Sequence, residues 1–570
     1  MGKALVFGDD TRGFLATVRS LSRQSIVADA SPYDFRAPAL TSRHIRSVHR
    51  LPFYLGDARS WVAAIRHVLD CERYDLIVSC DERSLLPLNL HRDQFEPEHR
   101  LAIPSSSAVE TFFDKHATRT LAEAVGVPVC PGRLLAERDK PEDAIAAFGL
   151  PIVLKPRRSY SIGQLHARAR VAISYDRESL ARAFSQTAPD RWLIEAYFEG
   201  RGVGVSVLAK GGRLLQVFQH HRVHETRMAG ASSYRVSAPV DSRFEQACAR
   251  MVAMLRFTGI AMFEFRCNDE NGDWVLLEVN ARPWGSLPLA VAAGVDFPYL
   301  WYRLLVNHVE EPRAAYRTGL YGRNLTGDYN YVAESLDRFR RHPVKAVRFV
   351  ISHSIGHVRA LIGRESSDSF VMDDPRPGVS EFVRLIGSRV DKLVLPGTVR
   401  FRRRRAEALI IQAARTREPE LAKLMFICQG NICRSPFAEA LFAAERPGSL
   451  LGVRLSSAGT LPAVGRPAPA QAIQVARQFG ISLDHHRSRH LDVAEAETAN
   501  LIIVFDHLNA QAIYRLLPGL RTPVIPLGDL LEEPAGIADP NGKDHATFEA
   551  CYALISRGVQ RLITSMNFQS

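Results

Sequence analysis

Short apolar runs alternate with stretches of helical periodicity through the first hundred residues. Residues 3 to 8 form one apolar run, ending in the polar turn Asp9-Asp10-Thr11-Arg12-Gly13, after which apolar positions recur at helical spacing. Further runs at Ser25 to Ala28 and Leu76 to Ser79, the second followed by Cys80-Asp81-Glu82, continue a strand–helix–strand pattern. This pattern predicts a doubly wound α/β start over about 105 residues. No G-x-G-x-x-G run is present, so the start is not predicted to hold a dinucleotide and reads as a structural or substrate-side subdomain.

The pattern then changes. Phe113-Asp114-Lys115 precedes a helix that ends near Ala124 to Pro128, and Phe148 to Pro156 is an apolar strand carrying Lys155. A turn-rich loop, Arg157 to Gly163, and a strand from Trp192 to Gly200 containing Glu195 come next. Two further strands, around Ala261 to Phe265 and Val275 to Pro283, are predicted to pair through the turn Asn268 to Asp273. Strand alternation places Glu278, Asn280 and Arg282 on one face, with Glu264 on the neighbouring strand. Two carboxylates and an amide oxygen form a hard-oxygen set suited to Mg²⁺, with Mn²⁺ a second fit, bound together with substrate phosphates. The lysines supply charge for a phosphate tail, and the Gly/Ser loop a cover. Phe218 to Glu225 and Ala229 to Arg235 are dense in His and Arg, which suits an anionic substrate or a solvated hairpin.

A third pattern begins at Leu424. Leu424 to Ile427 reads as a short buried strand, and a helix opens with Pro436 in its first turn. Between them lies Cys428-Gln-Gly-Asn-Ile-Cys-Arg434-Ser435. A loop closing on a helix N-terminus turns its N–H groups toward a tetrahedral oxyanion. The same positive end favours the Cys428 thiolate as a nucleophile. Arg434 offers a planar fork for two phosphoryl oxygens, and Ser435 a donor to the leaving thiolate. Leu501 to Phe505 reads as a buried parallel strand, with Asp506 and Asn509 in capping or functional roles.

Between these regions, residues 301–400 mix helical stretches with Tyr-rich turns. Arg338 to Ile351 is basic and amphipathic, suited to a packed helix or to weak contact with a membrane surface. Arg402 to Arg405 reads as a solvated charge run in a helical spacer. The boundaries expected are 1–105 for the first α/β domain, 106–310 for the second, 311–400 for a helical or irregular extension, 401–423 for a basic linker and 424–566 for the last domain.

Composition narrows the picture little. The chain has 570 residues, 46% hydrophobic and 24% charged, with a net charge of +12 that suits phosphate-bearing substrates. That charge does not by itself call for nucleic acid, and none is expected. Eight scattered cysteines, with neither an apolar leader nor a transmembrane run, predict a cytoplasmic enzyme.

The Cys-x5-Arg-Ser-Pro run, Ser456 to Thr460 and Asp539-Pro540 together resemble the low-molecular-weight protein tyrosine phosphatases. The resemblance implies a doubly wound domain with a four-stranded parallel sheet, in which Cys428, Arg434, Ser435 and Asp539 are catalytic. Asp539 would protonate the leaving oxygen and then activate water against a cysteinyl phosphate. Asp484 to His490 falls where relatives carry a basic turn beside the active site. Asn541 and Gly542 follow Asp539-Pro540 where animal members carry aromatic residues, so the rim is small and polar. The expected substrate is therefore a phosphotyrosine protein or a small phosphomonoester. An arsenate reductase of the same fold would need relay cysteines, for which only Cys433 and Cys551 stand in this region.

Residues 105 to 300, in the order described, resemble the ATP-grasp superfamily of carboxylate–amine ligases, with the α/β start as its preceding domain. The resemblance implies ATP phosphates at Lys115 and Lys155, and a flexible loop at Ser159, Ser161 and Gly163. It puts an adenine hinge at Glu195, Tyr197 and Phe198, Mg²⁺ at Glu264, Glu278 and Asn280, and Arg282 facing the transferred phosphoryl group. A bifunctional enzyme is expected, a ligase for a carboxylate and an amine acting through an acyl phosphate, joined to a phosphatase. Two other readings stand beside it. In one a nucleotide-sensing module regulates the phosphatase; in the other both sites act in turn on a cell-surface polysaccharide or peptide precursor.

Overall fold

The computed structural model describes residues 2–567 apart from 53, 55–57, 97–99, 163–164, 166–167, 170, 185–186, 188–189, 226–231, 340–343, 346–347, 350–352, 354–358, 360–362, 391–395, 415–421, 462–463, 518–519 and 532–535. The chain divides into two compact units, Met1–Val383 and Arg384–Ser570.

The first unit opens with β1 (Lys3–Phe7), β2 (Val27–Ser31), β3 (Leu76–Ser79) and β4 (Leu101–Ala102), a parallel sheet in the order β2-β1-β3-β4. Ala4 and Val6 face one hydrophobic core and Leu5 and Phe7 another, as strand alternation requires of a sheet covered on both faces. The helix Gly13–Arg23 follows β1 directly. A Cβ on Gly13 would lie 3.1 Å from the Trp284 carbonyl oxygen, so glycine permits the close backbone approach that brings this helix to the segment after Asn280.

A small antiparallel sheet follows, made of β5 (Gly132–Leu134), β6 (Ile152–Pro156), β7 (Ala172–Ser174) and β8 (Trp192–Ala196), in the order β5-β8-β6-β7. The largest sheet holds β9 (Arg201–Lys210), β10 (Arg213–Glu225), β11 (Ser232–Ala238), β12 (Gly259–Cys267), β13 (Trp274–Asn280), β14 (Tyr321–Arg323) and β15 (Glu365–Ser367). Its order is β13-β12-β9-β10-β11-β14-β15. On β9, Val203, Val205 and Val207 pack with Phe263 and Phe265 into a core, at about 1.5–3 kcal/mol for each large side chain fully buried. The alternate positions, Gly202, Gly204 and Ser206, present a floor of small residues on the other face.

The extension expected over 311–400 as helical or irregular also carries sheet: β14 and β15 complete the seven-stranded sheet, and buried Arg323 joins Asp328 and Glu365. Their three-residue strands are too short for a period to show in sequence. Much of the basic stretch Arg338 to Ile351 lies outside the described residues.

In the second unit β16 (Lys423–Cys428), β17 (Arg454–Gly459), β18 (Leu501–Val504) and β19 (Val524–Pro526) form a parallel sheet in the order β17-β16-β18-β19. The helices Arg434–Glu445 and His545–Asn567 pack together, with Phe437 stacked on Tyr552 at 3.8 Å. The run expected as a solvated spacer differs. Its helix, Pro396–Ala414, buries Ala406 and Ile410 in the core of this unit, and Arg402 lies 3.8 Å from Asp529. The charge run masked an apolar pair four residues apart.

Candidate functional sites

Cys428 ends β16 at the carboxyl edge of the parallel sheet, where open α/β sheets bind their ligands. The helix begins at Arg434, two residues before Pro436, so Arg434 and Ser435 belong to its first turn. The Cys428 Sγ accepts the Asn431 N–H at 3.2 Å and lies 3.1 Å from the Ser435 hydroxyl.

Asn431 organises this loop. It is wholly buried with φ +50, and its amide donates to Ser435 at 2.9 Å and Ser457 at 3.0 Å. Its Oδ1 accepts the Arg489 N–H at 2.9 Å, and its backbone oxygen lies 2.6 Å from the His486 ring. The basic turn expected beside the loop is therefore bonded to it. A Cβ on Gly459 would lie 3.0 Å from the Gln429 carbonyl, so glycine lets β17 press against the loop without crowding its backbone.

Arg434, 1% exposed, donates to Asp506 at 2.8 Å, to the Ile537 carbonyl at 2.8 Å and to Asp539 at 2.6 Å. Burial lowers the Arg434 pKa, but Asp539, Cys428 and Asp506 outweigh it, and the guanidinium is held charged. Asp506 also caps the following helix through the Asn509 N–H, so its two candidate roles are one geometry. Burial pushes the Cys433 thiol far up and the Cys551 thiol up to about 12, which leaves both protonated and poor relays.

The second site lies in the first unit. Glu264 and Glu278 are register partners on β12 and β13, and the Asn280 amide donates to both at 3.2 Å. Lys115, opening the helix Lys115–Ala124, lies 4.0 Å from Glu278 and donates to Ser159 at 3.0 Å. Burial raises the Glu278 carboxyl, but Lys115, the Asn280 bond, Arg168 and Lys155 pull it below the usual range, so it is an anion. Burial raises Glu264, and Glu278 adds to the rise against the opposing Arg222.

Lys155 and Glu195, expected at separate parts of a nucleotide, form a buried pair at 2.6 Å, with Arg119 3.5 Å from Glu195. Tyr197 and Phe198 are half-buried just beyond β8. Ser161 is exposed, and Gly163 lies outside the described residues. Buried Asp114 ties the start of the loop down through Arg157 at 2.6 Å and Arg158 at 3.3 Å.

Arg282 does not continue the strand face. β13 ends at Asn280, and Arg282 turns to Glu82 at 3.2 Å, beyond the end of β3. The sequence pattern assigns Glu82 no role and offers Arg222 only within a basic stretch suited to an anionic substrate, whereas Arg222 pairs with Glu264 from β10. The signal lay in Gly202 and Gly204. A Cβ at either would strike Arg222 or the His220 ring, at 2.5 and 2.1 Å, so these glycines let both side chains lie across β9.

Residues 423–570 match the family model described as low molecular weight phosphotyrosine protein phosphatase. Residues 188–327 match that described as ATP-grasp in the biosynthetic pathway with Ter operon. Through its second unit the chain belongs to the low molecular weight phosphotyrosine protein phosphatase family, and it joins that domain to an ATP-grasp domain.

The chain is 37% identical over 136 residues to the probable low molecular weight protein-tyrosine-phosphatase EpsP of Ralstonia nicotianae, a match spanning 24% of this chain and 90% of that one. It is 34% identical over 137 residues to the low molecular weight protein-tyrosine-phosphatase Etp of Escherichia coli, spanning 24% and 89%. A solved N5-carboxyaminoimidazole synthetase of Staphylococcus aureus is similar over 60% of this chain and 86% of its own, with TM-score 0.45 and 14% identity. Among the described residues no single helix is long and apolar enough to cross a membrane. One bent pair, Leu287–Ala293 and Phe297–Val306, meets that test by composition, and Leu287, Leu289, Phe297 and Trp301 are buried in the core.

Proposed function

We propose that the chain is a two-site enzyme, a phosphomonoesterase acting on phosphotyrosine or a related aryl phosphate and an ATP-dependent ligase joining a carboxylate to an amine. The phosphatase reading rests on Cys428, whose sulfur receives the Asn431 N–H at the mouth of the helix that carries Arg434. The thiolate attacks phosphorus, the P–O bond to the leaving group breaks, and Asp539 donates a proton to that oxygen. Water then attacks the cysteinyl phosphate while Asp539 takes its proton, and Ser435 donates to the departing thiolate. Arg434 and the loop N–H groups hold the equatorial oxygens throughout.

The ligase reading rests on the convergence of Lys115, Glu264, Glu278 and Asn280. Their oxygen donors, with Glu278 held anionic, fit Mg²⁺. Held there by Glu264, Glu278 and Asn280, the ion would neutralise charge developing on the phosphates. Lys115 and Lys155 bind and orient the phosphate tail, and Ser159, held by Lys115, draws the loop over it. The substrate carboxylate attacks the γ-phosphorus as its bond to ADP breaks, with Arg282 stabilising the phosphoryl group in passage; the amine then attacks the acyl carbon, phosphate leaves, and the nitrogen gives up a proton to it. The eight cysteines are all free, in keeping with a cytoplasmic site of action.

Two variants of the full chain test the sites separately. Cys428→Ser should abolish aryl phosphate hydrolysis and leave ATP binding intact; near-normal turnover would refute the nucleophile. Glu278→Ala should abolish Mg²⁺-dependent ATP turnover and spare the phosphatase. ATP turnover that survives this change would place the metal elsewhere.

A further inference from the structure

Two histidines of β10 have different destinations. His220 is buried over Gly204, whereas His224 leaves the regular ladder. The pairing of β10 with β11 shifts register between Arg222 and His224, and again between His224 and Glu225. Such an irregularity re-aims the side chain at its position. His224 meets the helix Leu325–Arg338, where its Nδ1 lies 3.3 Å from Asp328 Oδ1. His353 reaches the same carboxylate, its Nε2 3.0 Å from Oδ2.

Two imidazole nitrogens and a carboxylate thus converge. The three ligand atoms lie within 4.8 Å of one another, and the rings of His224 and His353 stand 5.5 Å apart. Bonds of about 2.0–2.2 Å to one shared ion need only a slight closing of that triangle. Asp328 is buried, and Tyr331 stacks on the His224 ring at 4.2 Å, so packing holds the donors in place. Arg323 donates to Asp328 Oδ2 at 2.6 Å, and Glu365 takes its other N–H groups at 2.6 and 3.0 Å. Matched by two carboxylates, Arg323 serves as the outer donor that fixes a ligating Asp, with Oδ1 left toward His224. Its Nη1 also stands 3.5 Å from His353 Nε2, a long contact that metal ligation would replace.

We propose that His224, Asp328 and His353 form a Zn²⁺ site, made of other residues than the Mg²⁺ donors Glu264, Glu278 and Asn280. Two imidazoles with one carboxylate suit Zn²⁺, whereas the all-oxygen set suits Mg²⁺. Asp328 lies 104 positions beyond His224, and His353 25 beyond Asp328. The ion therefore ties the extension after residue 310 to β10 of the main sheet. Three protein ligands leave a fourth position for water or a substrate oxygen. The site stands whether or not the ligase reading holds.

The test uses the full Cys428→Ser chain, whose nucleophilic thiol can take no metal, with Mg²⁺ and ADP in excess over the oxygen donors. After loading with Zn²⁺ and gel filtration, elemental analysis should find one equivalent of zinc more in this chain than in His224→Ala, Asp328→Asn or His353→Ala. Equal zinc in the parent and a folded variant, whether none or an adventitious amount, overturns the site. Co²⁺ in place of Zn²⁺ gives a second measurement that needs none of the three variants. It should show the visible absorption of a four- or five-coordinate ion with no thiolate charge-transfer band. The weak absorption of a six-coordinate ion, or a thiolate band, overturns the site even where every variant fails to fold.

Discussion

Arg434 donates to Asp539 at 2.6 Å, so without substrate the phosphate-binding fork and the expected general acid hold each other. Under the proposed mechanism, a phosphoryl group arriving at Arg434 would replace that contact and free Asp539 to turn to the leaving oxygen. Asp539→Asn should lower kcat on phenyl phosphate about 10²- to 10³-fold. The loss should be much smaller on p-nitrophenyl phosphate, whose leaving oxygen needs little protonation. Binding of vanadate should hold or tighten, because its competitor for Arg434 is weaker. Equal losses on both esters would exclude the acid role.

Asn431 bonds five groups of the loop and its surroundings from a backbone at φ +50, where asparagine is better tolerated than most residues. Asn431→Ala leaves Ser457 and the Arg489 N–H short of a partner and strains the turn. It should destabilise the second unit by about 2–3 kcal/mol and cut kcat/KM by at least about tenfold. Melting and aryl phosphate kinetics on one preparation check both; an unchanged melting temperature would mean the loop holds itself.

Gly204 lies beneath the His220 ring, whose Cε1 is 2.1 Å from where a Cβ would stand. Because the ring is buried, Gly204→Ala must displace it, at about 1–3 kcal/mol. The larger effect should be functional. Displacing His220 disturbs neighbouring Arg222 and hence Glu264, so the KM for Mg²⁺-ATP should rise while the phosphatase is untouched. A variant with wild-type ATP kinetics would mean that the small-residue floor serves packing alone.

His220 also gives the first unit a pH dependence. Burial first, then Arg235, Arg222 and His221, lower its pKa well below the ordinary value, so it is neutral when folded. Below about pH 6.5 the unfolded chain takes up a proton that the folded chain refuses, and stability therefore falls with pH. His220→Phe keeps a ring against Gly204 and removes the titration. Its melting temperature should decline less steeply than wild type between pH 7 and 5, by calorimetry. An identical slope would show the loss to come from other groups, such as His221.

By itself the sequence determined the parts whose chemistry is local. A strand, a tight loop and a helix N-terminus within about a dozen residues fix Cys428, Arg434 and Ser435 together, because backbone geometry over so short a span leaves few alternatives. The pairing of Glu264, Glu278 and Asn280 was legible for a similar reason, since a short turn and a period of two set the register of β12 and β13.

What the tertiary structure decided are contacts between residues far apart in the chain. Arg434 meets Asp506 and Asp539, Lys155 closes on Glu195, Arg222 crosses Gly202 to Glu264, and Arg282 leaves its strand for Glu82. The short strands β14 and β15, and the meeting of His224 with Asp328 and His353, take their meaning from the β-sheet and helix that bring them together. Charges so placed carry no period of their own. Burial obliges each to find a partner, and only the folded chain determines which partner lies within reach.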